Sequence, residues 1–359
     1  MFEAACVGTR GLNLIRSVGI NQARLASPQS PILNPVNGRV ITTTTADAAN
    51  VSQRAPFQGV ETGLLQIQST AQSSYNSLQM SLTRRLSRGL QFLAAYTLSR
   101  SIDNSSGTNG GSADAVRDTG IILGNQLDNR ANRGLSDFDR THRFVLSYLW
   151  DLPRAPFATE SKVTRWLFND WQVAGVITAM SGLPIDITDG GAGSFYGLNG
   201  GNNALTRPNW ATGATVSSAR GGVPAGYFFN PFAFVRPVVL NGQVIPSSNG
   251  AAIASGLGTD IGNVGRNVLR GPRQTNVDFS IIKRFPIHEA KSLEFRAEFF
   301  NIFNHVNLDN PISNVNVITS SGGSIDANTG RIISPGDFGR IVATTNNPRL
   351  IQFAFKLNF

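Results

Sequence analysis

The sequence has one cysteine, Cys6, and three histidines among 359 residues. A single thiol excludes a disulfide framework within the chain, and no Cys and His set has the spacing of a zinc site. Charge is scarce as well. Only 15% of residues are Asp, Glu, Lys or Arg, against roughly 25% in ordinary soluble proteins. No stretch approaches the roughly 18 apolar residues of a spanning helix, the longest resembling Val173–Met180, so a helical membrane protein is excluded. The N-terminus, MFEAACVGTRGLNLIRS, lacks an apolar segment ending in a small-residue cleavage site, so the chain as written carries no export signal. Lysine is nearly missing: 27 of the 31 basic residues are Arg, and the net charge is +9. These arginines are spread along the chain and not blocked into a patch or helix, and no nucleic-acid motif accompanies them, which argues against nucleic acid as a partner.

What the chain does have is glycine, 37 residues of it, and a hydrophobic fraction of 41%, too high for a disordered polymer. Its apolar residues alternate with polar ones. Leu78, Met80 and Leu82 alternate with Gln79, Ser81 and Thr83; Leu90, Phe92, Ala94, Tyr96 and Leu98 continue the pattern. It returns at Phe144–Trp150, more weakly at Trp171–Ile177, then at Val277–Ile281, Leu293–Phe299 and Ile351–Phe359. Period-2 alternation is what a half-buried strand requires, because successive side chains point to opposite faces. With a further strand at Phe2–Val7, the expected number is about eight. Segments of about ten residues, tilted near 45°, match the roughly 25 Å apolar band of an outer-membrane barrel.

The connections alternate in length. Short ones fall at Arg84–Gly89, Pro153–Asp170 and Pro286–Lys291, and long ones at Gly8–Gln72, Ser101–Thr141, Gly182–Thr275 and Asn304–Pro348. In an antiparallel meander this puts every short link at one end and every long link at the other, as short periplasmic turns and long extracellular loops would be. Tyr148, Trp150, Trp166, Trp171, Phe285, Phe303 and Phe359 sit near strand ends, where aromatic rings favour a membrane–water interface. The expected fold class is therefore all-β, a transmembrane antiparallel β-barrel of about eight strands with long extracellular loops.

Candidate functional residues follow from that frame. Glu294, Arg296 and Glu298 share one face of a strand, and an Arg facing lipid costs about 2–4 kcal/mol at midplane, so this row marks the lumen side. Tyr227, Phe228, Phe229 and Phe232 cluster aromatics in a long loop and are candidates for ligand contact. Arg130, Arg133, Arg207 and Arg266 are candidates for lipopolysaccharide phosphates. Asn301, Asn304 and Asn307 suit a polar ligand, or more simply a turn. Asp137, Asp139 and His142 form a weak metal pattern that Arg140 and Arg143 would balance as an ordinary polar loop. Gly256–Gly262 approaches a dinucleotide fingerprint, but its last glycine is one place late and no strand–turn–helix unit surrounds it. No nucleophile has a base beside it, so neither an enzyme nor a cofactor is expected.

Several strings together resemble the C-terminal barrel of Oar-like TonB-dependent receptors. These are YNSLQMSLTRRLSRGLQFLAAYTLSRSID from Tyr75, LSDFDRTHRFVLSYLWDLP from Leu135, WQVAGVITAMSGLPIDI from Trp171, GNVGRNVLRGPRQTNVDFSIIKRFPI from Gly262 and LEFRAEFFNIFNHVNL from Leu293. VGTRGLNLIRSVGINQA from Val7 extends the resemblance over nearly the whole chain. It implies residence in the outer membrane, ligand capture by the loops and uptake energised by the TonB complex. It further implies assembly by the barrel assembly machinery, for which the terminal Phe359 would be the signal, and contact with outer-membrane lipid and lipopolysaccharide; the ligand is not identified. Such receptors have 22 strands, a plug and a TonB box. Residues 1–359 correspond to the C-terminal part of the barrel, without plug or signal peptide, and eight strands of so large a barrel would form a wall with two unpaired edges. Two other readings compete: a structural or adhesive surface protein displaying its loops, and a self-sufficient eight-stranded barrel.

Overall fold

Alternation of side chains becomes a sheet once neighbouring strands agree on which face is which. The computed structural model describes residues 1–24, 26–44, 50–60, 64–106, 130, 132–156, 161–189, 206–236, 238–240, 243–245, 262–288 and 291–359. Eight long strands, numbered here β1 (Phe2–Gly19), β2 (Leu65–Ser87), β3 (Leu90–Asp103), β4 (His142–Asp151), β5 (Trp171–Met180), β6 (Gln274–His288), β7 (Lys291–Phe300) and β8 (Leu350–Asn358), lie side by side in chain order. Each is antiparallel to the next. A two-residue strand, Gly134–Leu135, adds to the end of β3.

The register keeps the faces apart. Phe2, Leu82, Ala94, Leu146, Ile177 and Val277 form one row across six strands. The adjacent row, on the opposite face, is Glu3, Ser81, Ala95, Val145, Thr178 and Asn276. Toward the β8 edge the polar face carries Arg284, Glu294 and Lys356 in one row. Because side chains have a period of two, slipping any strand by one residue would put its apolar set among these charges.

Turn chemistry fixes that register at the short-connection end. β2 and β3 are joined by Arg88 and Gly89 alone, with φ of 52° and 78°, the paired left-handed conformations of a tight hairpin turn. A Cβ on Gly89 would lie 2.6 Å from the Asp151 carbonyl oxygen, so glycine is required there by both φ and space. β4 and β5 are joined through a helix, Lys162–Phe168, which begins where the Ser161 side chain accepts from the Val163 amide. Residues 289–290, between β6 and β7, lie outside the described residues.

Two strands are longer than alternation indicates. The pattern stops at Val7 and resumes at Leu78, yet β1 continues to Gly19 and β2 starts at Leu65. Gly8, Gly11 and Asn13 break the alternation, and pairing survives through bulges on either side of Leu14, with Asn13 at φ 55°.

The expected transmembrane β-barrel is corrected here. β1 pairs with β2 alone and β8 with β7 alone, so among the described residues the sheet ends in two edges and does not close. Closure needs edge strands that match in tilt and stagger. β1 has 18 residues and two bulges, whereas β8 has nine. The architecture is an open, largely antiparallel sheet.

Most of the large buried apolar side chains lie outside this sheet. Ile187, Phe229, Phe234, Val315, Ile318 and Phe338 belong to one cluster drawn from the β5–β6 and β7–β8 connections. These connections fold over the end of the sheet as a head with a core of its own. At the opposite end, Gly89→Ala is expected to lower stability by about 1–3 kcal/mol through the strained φ and the Asp151 contact. Urea unfolding in detergent checks this, and unchanged midpoints would refute it.

Candidate functional site: the head and its anchor

Three phenylalanines nucleate the head. Phe229, Phe234 and Phe338 meet edge to face, with centroids 5.7, 5.1 and 5.9 Å apart and interplanar angles of 77–85°, arrangements worth about 0.5–1.5 kcal/mol per pair beyond burial. Trp210 stacks on Phe234 at 5.0 Å. The chain reverses before this core through Asn230, whose side chain accepts from the Phe232 amide and caps the 3-10 turn Pro231–Ala233. Two connections are tied together by Phe228 N donating to the Gly339 carbonyl (2.7 Å) and the Tyr227 hydroxyl donating to the Gly336 carbonyl (2.8 Å).

The head is anchored to the sheet by buried ion pairs. Arg266 reaches Asp103 at the end of β3, and its Nη2 lies 2.8 Å from Asp137 Oδ1 and 2.6 Å from Ser106 Oγ. Arg270 Nη2 lies 2.6 Å from Asp139 Oδ2, and Asp139 also accepts from the Ser101 amide of β3. Arg207 grips Asp186 with two parallel bonds of 2.8 and 3.0 Å, the fork geometry that lysine lacks. Asn267 donates to Asp137 and to the Leu135 carbonyl. A cavity of about 250 Å³ at this junction is lined by Asn104, Asn132, Asp137, Asp186, Arg207 and Arg266, among others.

Burial pulls the pKa of Arg266 down, but the charges and hydrogen bonds of Asp137 and Asp103 outweigh it and hold the group above its ordinary value. A raised pKa stabilises at every pH below the ordinary guanidinium value and ceases to do so only as pH rises through the raised one. Arg266 therefore stays charged across the physiological range and is no pH switch.

The sequence-derived candidates separate on this geometry. Arg207 and Arg266, expected at lipopolysaccharide phosphates, are buried in the anchor, whereas Arg130 and Arg133 are exposed. Asp137 and Asp139 are balanced by Arg266 and Arg270, about 130 residues away, and not by Arg140 and Arg143. His142 does not join them in a metal-binding group among the described residues; its Nδ1 lies 2.7 Å from the Tyr96 hydroxyl. Of the aromatic loop candidates, Phe229 is in the core, Tyr227 and Phe228 are half-buried and Phe232 is 44% exposed.

Asn301 and Asn304 adopt positive φ, and Asn301 and Asn307 bond main-chain groups on both sides of their turn. Glu294, Arg296 and Glu298 lie together on the polar face, with Arg296 3.0 Å from Glu294 and 3.6 Å from Glu298, and with Arg284 3.3 Å from Glu294. Phe359 follows the last residue of β8 and is exposed. Gly256–Gly262 lies, except for Gly262, outside the described residues.

Energised uptake, expected of a TonB-dependent transporter, requires a channel that the wall encloses. The open sheet encloses none among the described residues, and the transporter reading is corrected on that ground. What stands in its place is a sheet carrying an anchored head.

Two substitutions test this description. Arg266→Ala strands Asp103 in a buried site, and the expected cost is about 3–5 kcal/mol, read as hydrogen exchange of the Phe228 amide at least a hundredfold faster. Arg266→Lys should recover only part, for want of the fork. Phe229→Ala is expected to lower the thermal stability of the head by about 3–5 kcal/mol, whereas Phe232→Ala should fall within about 0.5 kcal/mol of the parent; equal melting of the two variants would contradict the burial difference.

The family model described as "Outer membrane beta barrel domain" matches residues 1–352. Neither the search of curated proteins nor that of solved structures returns a match. The matched family is non-catalytic, in accord with the reading of the chain as no enzyme. The match takes in β1 to β7 and the start of β8, and with them the head and its anchor. The chain therefore belongs to the outer membrane beta barrel domain family and resides in the outer membrane.

Proposed function

We propose that the chain is a structural or adhesive surface protein of the outer membrane, whose sheet serves to hold the head outside the cell. The observation that carries this reading is the anchor. Loops that merely close a wall need no core, yet these share a phenylalanine cluster and are fastened at the strand ends by Arg266 and Arg270, with the Arg207–Asp186 pair bracing the head internally. The second support is the apolar face, where Leu82, Trp150, Phe353, Phe355 and Leu357 are 41–70% exposed. Apolar surface on that scale marks a face made for lipid or a partner. The long connections gather at one end, as extracellular loops do.

Within the family, we infer kinship with the Oar-like receptors, supported by the strings at Gly262–Ile287 and Leu293–Leu308. Kinship of sequence carries no uptake with it. Phe359, 93% exposed beyond β8, is the proposed contact for the barrel assembly machinery. Contacts made by the head would use its exposed residues, such as Phe232 and Ile333.

Orientation is the direct test. In a Cys6→Ser background, Ala327→Cys in the head should react with a membrane-impermeant maleimide on intact cells, whereas Ser87→Cys at the β2–β3 turn should react only after permeabilisation. The reverse pattern would refute display. Cells carrying Arg266→Ala should also adhere less to abiotic or cellular surfaces than cells carrying the parent at equal expression; undiminished adhesion would leave the sheet a structural role only.

A further inference from the structure

The short-connection end carries a feature the sheet does not need. Trp166 of the Lys162–Phe168 helix lies against Phe285 with centroids 4.5 Å apart, and Trp171 Nε1 donates to the Leu167 carbonyl at 2.9 Å. The helix thus closes over the end of the apolar face. Beneath it Lys283 is buried on that same face, donating to the Asn169 carbonyl, with its ammonium 5.4 and 5.2 Å from the ring centroids of Trp171 and Phe285.

The outer surface of this corner is both greasy and basic. Val163, Trp166, Leu167 and Phe168 are 46–64% exposed. Beside them a pocket of about 310 Å³ is lined by Arg154, Arg165, Trp166, Asn169, Asp170 and Pro286. Arg154 and Arg165 have no ion-pair partner among the described residues, unlike Arg207, Arg266 and Arg270 in the anchor. Asp170 offsets one of the two charges, leaving the lining cationic. Exposed apolar side chains next to unpaired guanidiniums are the composition of a segment lying in a membrane interface, and a guanidinium fork matches phosphate oxygens.

We propose that this corner binds an anionic phospholipid of the leaflet remote from the head, with its phosphate on Arg154 and Arg165 and its acyl chains along Val163, Leu167 and Phe168. The inference rests on the reading of the apolar face as lipid-facing and adds a specific headgroup site to it.

The full chain, refolded in neutral maltoside micelles and offered phosphatidylglycerol, should retain one lipid in native mass spectrometry. Arg154→Gln with Arg165→Gln should lower the retained fraction about tenfold, and millimolar inorganic phosphate should not displace the lipid. Leu167→Ser, which leaves both guanidiniums in place, should also weaken retention and serves should the double variant misfold. Equal retention by the folded double variant overturns the site. Displacement by inorganic phosphate overturns the lipid assignment in favour of a free-anion site. Flotation with phosphatidylglycerol vesicles separates the levels: a chain that floats but retains no lipid refutes the site alone, and one that does not float refutes the lipid-facing reading and the site together.

Discussion

The guanidinium of Arg266 joins segments that the chain separates widely: its own connection, Asp103 163 residues before it, and Asp137 129 residues before it. Taking such ions out of water costs several kcal/mol each, and only complete geometry offsets that. Here the geometry is filled in by Ser106, which accepts from Arg266 and from the Asp137 amide, and by Asn267, which donates to the Asp137 carboxylate beside Arg266. The phenylalanine core alone would make the head cohere without fixing where it sits. The ion pairs, being directional, set its position on β3 and on the approach to β4.

The sheet meets a different constraint. Its interior strands find backbone partners on both sides, but β1 and β8 each present a row of amide and carbonyl groups that no strand among the described residues pairs with. Such groups cost several kcal/mol apiece in hydrocarbon. Outer-membrane residence and an open sheet are therefore compatible only where those edges meet polypeptide or water. The bulges of β1 and its extension well past the length of β8 place much of that edge above any apolar band of about 25 Å.

How much of this was legible in the sequence depends on the range of the interaction. Strand parity is local, and the alternation at Leu90–Leu98 or Leu293–Phe299 put every side chain of those strands on the face where it is found. The extended halves of β1 and β2 were not legible, because Gly8, Gly11 and Asn13 erase the alternation while a bulge preserves the pairing. Closure is legible only in part: strand count and loop parity are local signals that match a barrel, whereas the two unpaired edges follow from eight strands being too few for so large a wall, and whether two edges meet is not a local property. The anchor was half visible. The sequence marks Asp137 and Asp139 as acids and offers Arg140 and Arg143 beside them, whereas the partners, Arg266 and Arg270, lie about 130 residues on. Lys283 was invisible, since it occupies an apolar position in the β6 alternation and only the rings of Trp171 and Phe285 explain it.

Arginine is used differently at the two ends of the molecule. At the head end, burial demands that each cation satisfy several acceptors at once. Arg266 and Arg207 do so with planar forks that a lysine ammonium does not reproduce. At the other end Arg154 and Arg165 remain solvent-accessible and without an ion-pair partner among the described residues, on and beside the Lys162–Phe168 helix, where weak hydration of the guanidinium lets it approach a hydrocarbon boundary at less cost than an ammonium. Lys283, on the apolar face, is by contrast a compact charge capped by a single carbonyl and two rings. The same side chain thus serves as an internal fastener in the anchor and as an exposed cation at the corner, and the difference lies in whether a carboxylate is within reach.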